Sequence, residues 1–379
     1  MKQKLILLLV GLLFLGATPA DEVWGFFGHR RINRMAVFTL PPEMIGFYKR
    51  NIEFITEHAV DPDKRRYATK HEAVRHYIDL DRWGTFPFNN VPRDWTDALI
   101  KYSDVYAIHE NGDTLHLFGE NAMSRIIISP DAQEHTYKTF FIQNILPEYY
   151  EEEWNINCDS LNALLANPIP CQKAFAVDRF SEYGILPYNL LRVYRQLVKA
   201  FSEKHEQQIL RLSTEIGHYI GDAHVPLHTT ENYNGQLTDQ VGIHGFWESR
   251  LPELYADQQY DFFVGKAEYI DNPKSYFWEI VLQSHAEVDA VLRIEKELSK
   301  IFPPDQQYCY EERLGQTIRT YCQPYAAAYH EKLSGMVERR MCQTVKALGN
   351  IWYSAWIEAG QPNLKELMPK ELSKKSAKN

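Results

Sequence analysis

After its first twenty residues the chain has no apolar run near the roughly twenty residues that a membrane-spanning helix needs, so the remainder is expected to hold no transmembrane segment. Cysteine is scarce, five in 379 residues, and no two stand at a C-x-x-C spacing, so the cysteines are assigned to structure rather than to metal or redox chemistry. Positive charge is in deficit, with 41 Lys and Arg against 50 Asp and Glu and a net charge of -9. That balance argues against a general polyanion binder, although a local basic patch or a bound cation can still hold a phosphate. Internal repeats and low-complexity linkers are also lacking. What remains is 45% hydrophobic and 24% charged, the composition of a folded globular protein with a sizeable core.

The first stretch reads as a secretory signal over residues 1–20: Lys2 and Lys4 precede an apolar run from Leu5 to Gly16, and small residues lead to Ala20. The mature protein is therefore expected to be exported, to the periplasm or outside the cell, where disulfides form. Cys158 and Cys171 are 13 apart, as are Cys309 and Cys322, which suggests two local bridges and leaves Cys342 over. The Lys-rich end, residues 370–379, reads as a solvated tail.

Between these ends the pattern is mainly helical. Ile32, Met35, Ala36 and Phe38 to Leu40 recur at helical spacing before Pro41, and a second helix is expected from Pro42 to about Glu57. Leu186–Glu203, Gln207–Ala223, Phe246–Asp257, Lys274–Ile301 and Pro324–Gly360 carry the same periodicity, and little there alternates like a sheet. From about 83 to 157 the chain changes character, with Pro, Asn and Gly punctuating short apolar segments. Within it VYAIHENGDTLHLFG alternates and turns at Asn111-Gly112, as a small hairpin would. The expected architecture is one mainly α domain over 21–369 with a less regular insertion.

The chemistry concentrates in IGHYIGDAHVPLHT, residues 216–229. His218 and Asp222 are four apart, so a helix projects both from one face; Pro226 ends that helix and His228 lies just beyond. His244 and Glu248 repeat the four-residue spacing. Imidazoles and carboxylates in this arrangement are the borderline-soft N/O ligands that zinc prefers. His285 and Asp289 share the spacing but lack the surrounding Gly-Asp, Pro-Leu-His and aromatic context, and read as exposed helix residues. His224, six past His218, lies on another side of the helix. Upstream, Asp61 and His76 fall in polar sequence, and Trp24 and His29 open the mature chain.

Taken in order, Trp24-Gly25-x-x-Gly28-His29, Asp61, His76-Tyr77-x-Asp79, His218-x-x-x-Asp222, Pro226-Leu227-His228 and His244-x-x-x-Glu248 resemble the pattern of the zinc-dependent phospholipase C and P-one/S-one nuclease superfamily. The resemblance covers Trp24 to Glu248; the insertion and the chain after Glu248 match nothing specific. It implies a helical fold of the phospholipase C/nuclease P-one type holding three Zn2+ ions in a cleft. Asp61, His76, His218 and Asp222 would hold the first ion and His228, His244 and Glu248 the second. Asp222 would bridge to a third, completed by His29 and by Trp24 through its free amine and carbonyl. Cleavage after Ala20 leaves three residues ahead of Trp24, so either trimming to residue 23 frees that amine or the third site is weakened.

Close zinc ions acidify water and neutralise phosphoryl oxygens, which is what hydrolysis of a phosphodiester needs. Asp61 is expected to orient or deprotonate the water, or to serve as ligand only; Tyr77 and Arg65 are candidate substrate contacts, and Asp79 a candidate partner for an imidazole N–H. The resemblance implies a phospholipid headgroup or single-stranded nucleic acid as substrate, and no protein partner is evident. Glu248, Asp79, Asp81 and the short gap from His228 to His244 resemble the phospholipase branch. The compact Trp-Gly-x-x-Gly-His start and the Pro-Leu-His ending resemble the nuclease branch. The reading leans to phospholipase, with nuclease as the alternative and a zinc-stabilised binding protein without catalysis as the second.

Overall fold

The computed structural model describes residues 22–66, 68–119, 134–313 and 315–367; the expected signal segment and Lys-rich tail lie outside them, as does the side chain of Trp24. The described chain is mostly helical. Its five longest helices are α1 (Glu22–Ala36), α2 (Leu186–Ser202), α3 (Glu206–His224), α4 (Pro273–His285) and α5 (Met336–Glu358). Helix α3 packs against all four others. From Leu212 to His224 every residue of α3 is buried, so its polar residues, Ser213, Thr214, Glu215, His218, Asp222 and His224, must be satisfied inside the protein.

Two glycines let α1 come close. A Cβ at Gly217 would lie 2.1 Å from Asn33 Oδ1, and one at Gly221, a turn later on the same face, 2.8 Å from His29 Nδ1. Small residues at this spacing thus set both the approach of α1 and the place of His29 over α3. Asn33, buried between them, donates to the carbonyls of Ile55 and Thr214. The expected helix from Pro42 is two pieces, Pro42–Arg50 and Ile52–Glu57, parted at Asn51.

The insertion builds its own core. Strands β1 (Ser103–Ile108), β2 (Thr114–Phe118), β3 (Trp154–Ile156) and β4 (Lys173–Asp178) form an antiparallel sheet of order β2-β1-β4-β3. The β1–β2 hairpin is the expected one; Gly112, at φ 89°, supplies the left-handed residue of its turn. Leu99, Val105, Phe141, Trp154, Leu161 and Ala176 make up an apolar cluster separate from the main core, stapled by the Cys158–Cys171 disulfide. The region therefore runs past 157 to Asp178, and β4 escaped the sequence reading because its buried face is two alanines, Ala174 and Ala176.

A second departure lies near the C-terminal end. The expected helices over 274–301 and 324–360 are each broken, the first between His285 and Val288, the second at Gly335 with φ 74°. Between them β5 (Tyr308–Arg313) and β6 (Gln316–Tyr321) form a hairpin that the Cys309–Cys322 disulfide closes. Both expected bridges are present, and Cys342 is free and partly buried. No described helix is long and apolar enough to cross a membrane.

Candidate metal centre

Helix α3 carries His218 and Asp222 inward at 0% and 1% exposure. Val225 is extended, Pro226 opens a short turn over Pro226–Thr229, and that turn aims His228 back at the same space. His244 and Glu248 lie on the facing segment, where a single turn, Ile243–Gly245, passes into a π-helical turn, Phe246–Arg250. His76 arrives from an irregular segment whose next residues are tied down by Ile78 N–H donating to the His228 carbonyl. His29 stands on α1 with its ring stacked 3.9 Å from that of His218.

Three groups of ligand atoms result: Asp63, His76 and His218; His228, His244 and Glu248; and His29, His218 and Asp222. In the first, His218 Nε2 is 3.1 Å from His76 Nδ1, 3.3 Å from Asp222 Oδ2 and 3.5 Å from Asp63 Oδ1, while His76 Nδ1 is 3.0 Å from Asp222 Oδ2. In the second, Glu248 Oε2 is 2.7 Å from His244 Nε2 and 3.2 Å from His228 Nε2, and the two imidazole nitrogens are 2.9 Å apart. The remaining carboxylate oxygens both turn to His29: its Nε2 lies 3.5 Å from Asp222 Oδ1 and 3.5 Å from Glu248 Oε1.

These spacings fit metal ions. Ligands 2.0–2.1 Å from a tetrahedral zinc stand roughly 3.3 Å apart, and both first groups scatter around that value. Imidazole nitrogens that face one another with carboxylates between them need a shared positive centre. Without an ion, protons on the imidazoles would supply that charge. Burial alone would depress His218 and His228, yet the carboxylates of Asp222 and Asp63 raise the first to about 9, and those of Asp222 and Glu248 raise the second to about 9. Burial opposes ionisation of Asp222 and Glu248, but the imidazoles around each hold them below the usual carboxylate range. The outward nitrogens are fixed by backbone: His218 Nδ1–H donates to the Ala59 carbonyl at 2.9 Å and His228 Nδ1–H to the His76 carbonyl at 2.6 Å. Carbonyl partners of this kind set which ring nitrogen is free to ligate.

One expected ligand is displaced. The structure puts Asp63, not Asp61, into the first group. Both belong to the single helical turn Asp61–Arg65, and residues two apart on a helix face nearly opposite ways. Asp63 turns toward α3, while Asp61 turns outward, its carboxylate 2.8 Å from Lys64 Nζ and 2.6 Å from His58 Nδ1. The string Asp-Pro-Asp presents two carboxylates, and nothing in it says which faces inward. His29, His76, His218, Asp222, His228, His244 and Glu248 are all brought together. Trp24 falls in the first turn of α1.

The outlying candidates fare differently. Arg65 is engaged by Glu72 and Glu215 at 3.3 and 3.2 Å, with its side chain 40% exposed. Tyr77 is half-buried and its hydroxyl donates to the Glu182 carbonyl. Asp79 contacts no ligand imidazole by hydrogen bond; burial, with Asp81 and Glu231 nearby, pushes its carboxyl up to about 7. His285 is partly buried against the Thr229 carbonyl, not exposed as its sequence context suggested, whereas Asp289 is exposed. His224 is buried and its Nδ1–H donates to the Ile220 carbonyl, off the metal face as its spacing requires. Sequence reasoning missed Tyr233, whose ring stands edge-on to His244 at 5.9 Å; a lone aromatic in a polar loop carries no signal of that contact.

No family model matches the chain, and no curated protein matches it.

Proposed function

We propose that the chain is an exported zinc-dependent phosphodiesterase of the phospholipase C/nuclease P-one type. The observation that carries the reading is the linkage of the three ligand groups: Asp222 and Glu248 each turn one oxygen to their own group and the other to His29, so the groups are close enough to act on one phosphate. Asp63, His76, His218 and Asp222 would hold one ion, His228, His244 and Glu248 a second, and His29 with Asp222 and Glu248 a third. The chemistry such ions supply when bound is acidification of water and neutralisation of phosphoryl charge. The residues divide the remaining work by exposure. Asp222 is sealed at 1%, whereas Asp63 is 22% exposed and, although burial opposes it, is held well below the usual carboxylate range by His218, His29 and His76, so that it can orient water by accepting its hydrogen bond, the lesser part of the role that sequence reading assigned to Asp61.

The rim favours lipid over nucleic acid. The loop 231–242, which joins His228 to His244, carries Tyr233, Leu237 and Val241 at 46%, 66% and 65% exposure. It does so on a rigid frame: Leu237 N–H donates to Asn232 Oδ1, Gly242 N–H to Asn234 Oδ1, and Gln240 Nε2–H to the Leu292 carbonyl. Apolar side chains held out beside an active site suit an acyl-chain surface. Asp81 and Glu231 on the same side would disfavour a polyanion. The deciding experiment assays the mature protein, with and without chelator, on phosphatidylcholine and on single-stranded DNA side by side. Chelator-sensitive hydrolysis of phosphatidylcholine is expected; cleavage of DNA alone would replace the lipid reading with the nuclease one. Bound zinc with neither activity would leave a binding protein.

A further inference from the structure

We propose that Glu72, a buried carboxylate outside the ligand groups, is the positioning residue of the first group, holding in register the three chain segments that supply Asp63, His76 and His218. Glu72 is 7% exposed. Its Oε1 accepts from the Tyr219 hydroxyl at 2.8 Å and from Arg65 Nη2 at 3.3 Å, and its Oε2 accepts from Arg75 Nη1. Each donor is a chain neighbour of a ligand. Tyr219 follows His218, Arg75 precedes His76, and Arg65 lies two past Asp63. Arg65 reaches across to Glu215 on α3 as well, at 3.2 Å, one turn before Tyr219. The Tyr219 ring in turn stands edge-on to His76, 5.3 Å away at 68°.

The need for such a clamp follows from the elements themselves. Asp63 sits on five helical residues and His76 in irregular chain, and neither can hold a carboxylate or an imidazole to a fixed point without tertiary support. Residues 63 and 218 lie on separate segments, and Glu72 links both of them to the segment of His76, alongside the direct Arg65–Glu215 pair and the bond from His218 to the Ala59 carbonyl. Thr69 fixes the near side, its hydroxyl accepting from Glu72 N–H at 3.2 Å to start the turn Lys70–Ala73. A buried carboxylate with all its donors in place is rigid, and one left without them is costly, so removing the hub loosens the whole set.

The inference rests on the metal-dependent reading of the site, and its test reads metal directly. The full mature chain, stripped by chelator, is titrated with Zn2+ against a chromophoric competitor. In Glu72→Ala one class of bound Zn2+ is expected to weaken ten- to a hundredfold while the other classes keep wild-type affinity. Glu72→Gln, which keeps an acceptor for Tyr219 but loses the charge facing Arg65 and Arg75, is expected to fall between, and Tyr219→Phe likewise. Those two variants carry the test if the alanine protein does not fold. Arg211→Met, which removes an outer ion pair to Glu215 from a side chain 60% exposed, is expected to change nothing. In activity the Glu72 variants are expected to lose kcat with KM unchanged. Wild-type zinc affinities in Glu72→Ala, or an equal weakening of every class, overturn the role of Glu72. Selective zinc loss in a protein that hydrolyses no phosphodiester supports Glu72 and overturns the phosphodiesterase reading; a wild-type chain that binds no Zn2+ overturns both.

Discussion

The first and second ligand groups are built from the same residue types to opposite designs. In the first group His76, His218 and Asp222 are buried to 1% or less, with Asp63 alone reaching the surface at 22%, and the segments of His76 and His218 lie more than 140 residues apart, held by the helix at the centre of the fold. His228, His244 and Glu248 come from 21 consecutive residues, lie at 8%, 20% and 15% exposure, and border a protruding loop. Long-range assembly in the core gives rigidity, since every packed neighbour resists displacement. Local assembly at the rim gives access. On the proposed function the first group would chiefly fix geometry and the second would border the substrate, and the contrast can be broken at either end.

The largest effect is expected where the groups join. Asp222→Asn keeps the shape of the side chain but removes the charge shared between the first group and His29. Loss of several kcal/mol of metal and transition-state stabilisation corresponds to roughly a thousandfold in rate. Elemental analysis should show fewer than the wild-type number of zinc ions in a protein with unchanged far-UV circular dichroism. Full zinc content with full activity would mean that the first group does not depend on Asp222.

The two designs also differ in how much of them a reader of the sequence can see. The i, i+4 pairs His218/Asp222 and His244/Glu248 and the nearby His228 are visible because helical spacing translates into a shared face. His76 and His29 become ligands only through the order of motifs in a family resemblance. Which of Asp61 and Asp63 turns inward depends on the packing of one short helical turn against α3, and local sequence does not encode it. The same holds for the fold. The long helices follow from periodicity, and the equal spacing of two cysteine pairs suggests the disulfides without fixing their connectivity, but the β4 and β5–β6 strands are short, with little apolar alternation, and owe their conformation to pairing partners.

At the rim, the expected effect is smaller and selective. Leu237→Asp and Val241→Asp each remove an exposed apolar side chain whose burial in an acyl surface is worth about 1.5–3 kcal/mol. Hydrolysis of phosphatidylcholine vesicles should fall about tenfold or more, while hydrolysis of a short-chain, monomeric phosphatidylcholine stays at the wild-type rate. Equal rates on vesicles would remove the loop from substrate contact and with it the functional half of the contrast.

In the metal-free protein the buried design should reveal itself through pH. His218 and His228, at about 6.5 unfolded and about 9 folded, bind protons more tightly in the folded state. That stabilisation is fully present below pH 6.5 and is lost as pH rises through 9. His76, whose folded value is lowered by burial, acts only below its ordinary range and leaves this window alone. The chelated protein should therefore melt several degrees lower at pH 9.5 than at pH 6.5, and the zinc-loaded protein should not show that drop. A flat Tm for the chelated protein across this interval would refute proton substitution at the site.

The smallest effect is expected at Asp61, and it is informative because the neighbouring residue should behave so differently. Asp61 is 32% exposed and its partners, Lys64 and His58, are more exposed still, at 52% and 44%. Ion pairs of that kind contribute about 0.2–1 kcal/mol. Asp61→Asn should keep the wild-type zinc content and an activity within about twofold, with Tm lowered by a few degrees at most. Asp63→Asn, two residues away, should lose zinc from the first group and most of the activity. The reverse pattern would return the ligand role to Asp61. It would also mean that the turn Asp61–Arg65 sits rotated by about half a revolution in the active protein, so that the first group is not the fixed partner in the comparison.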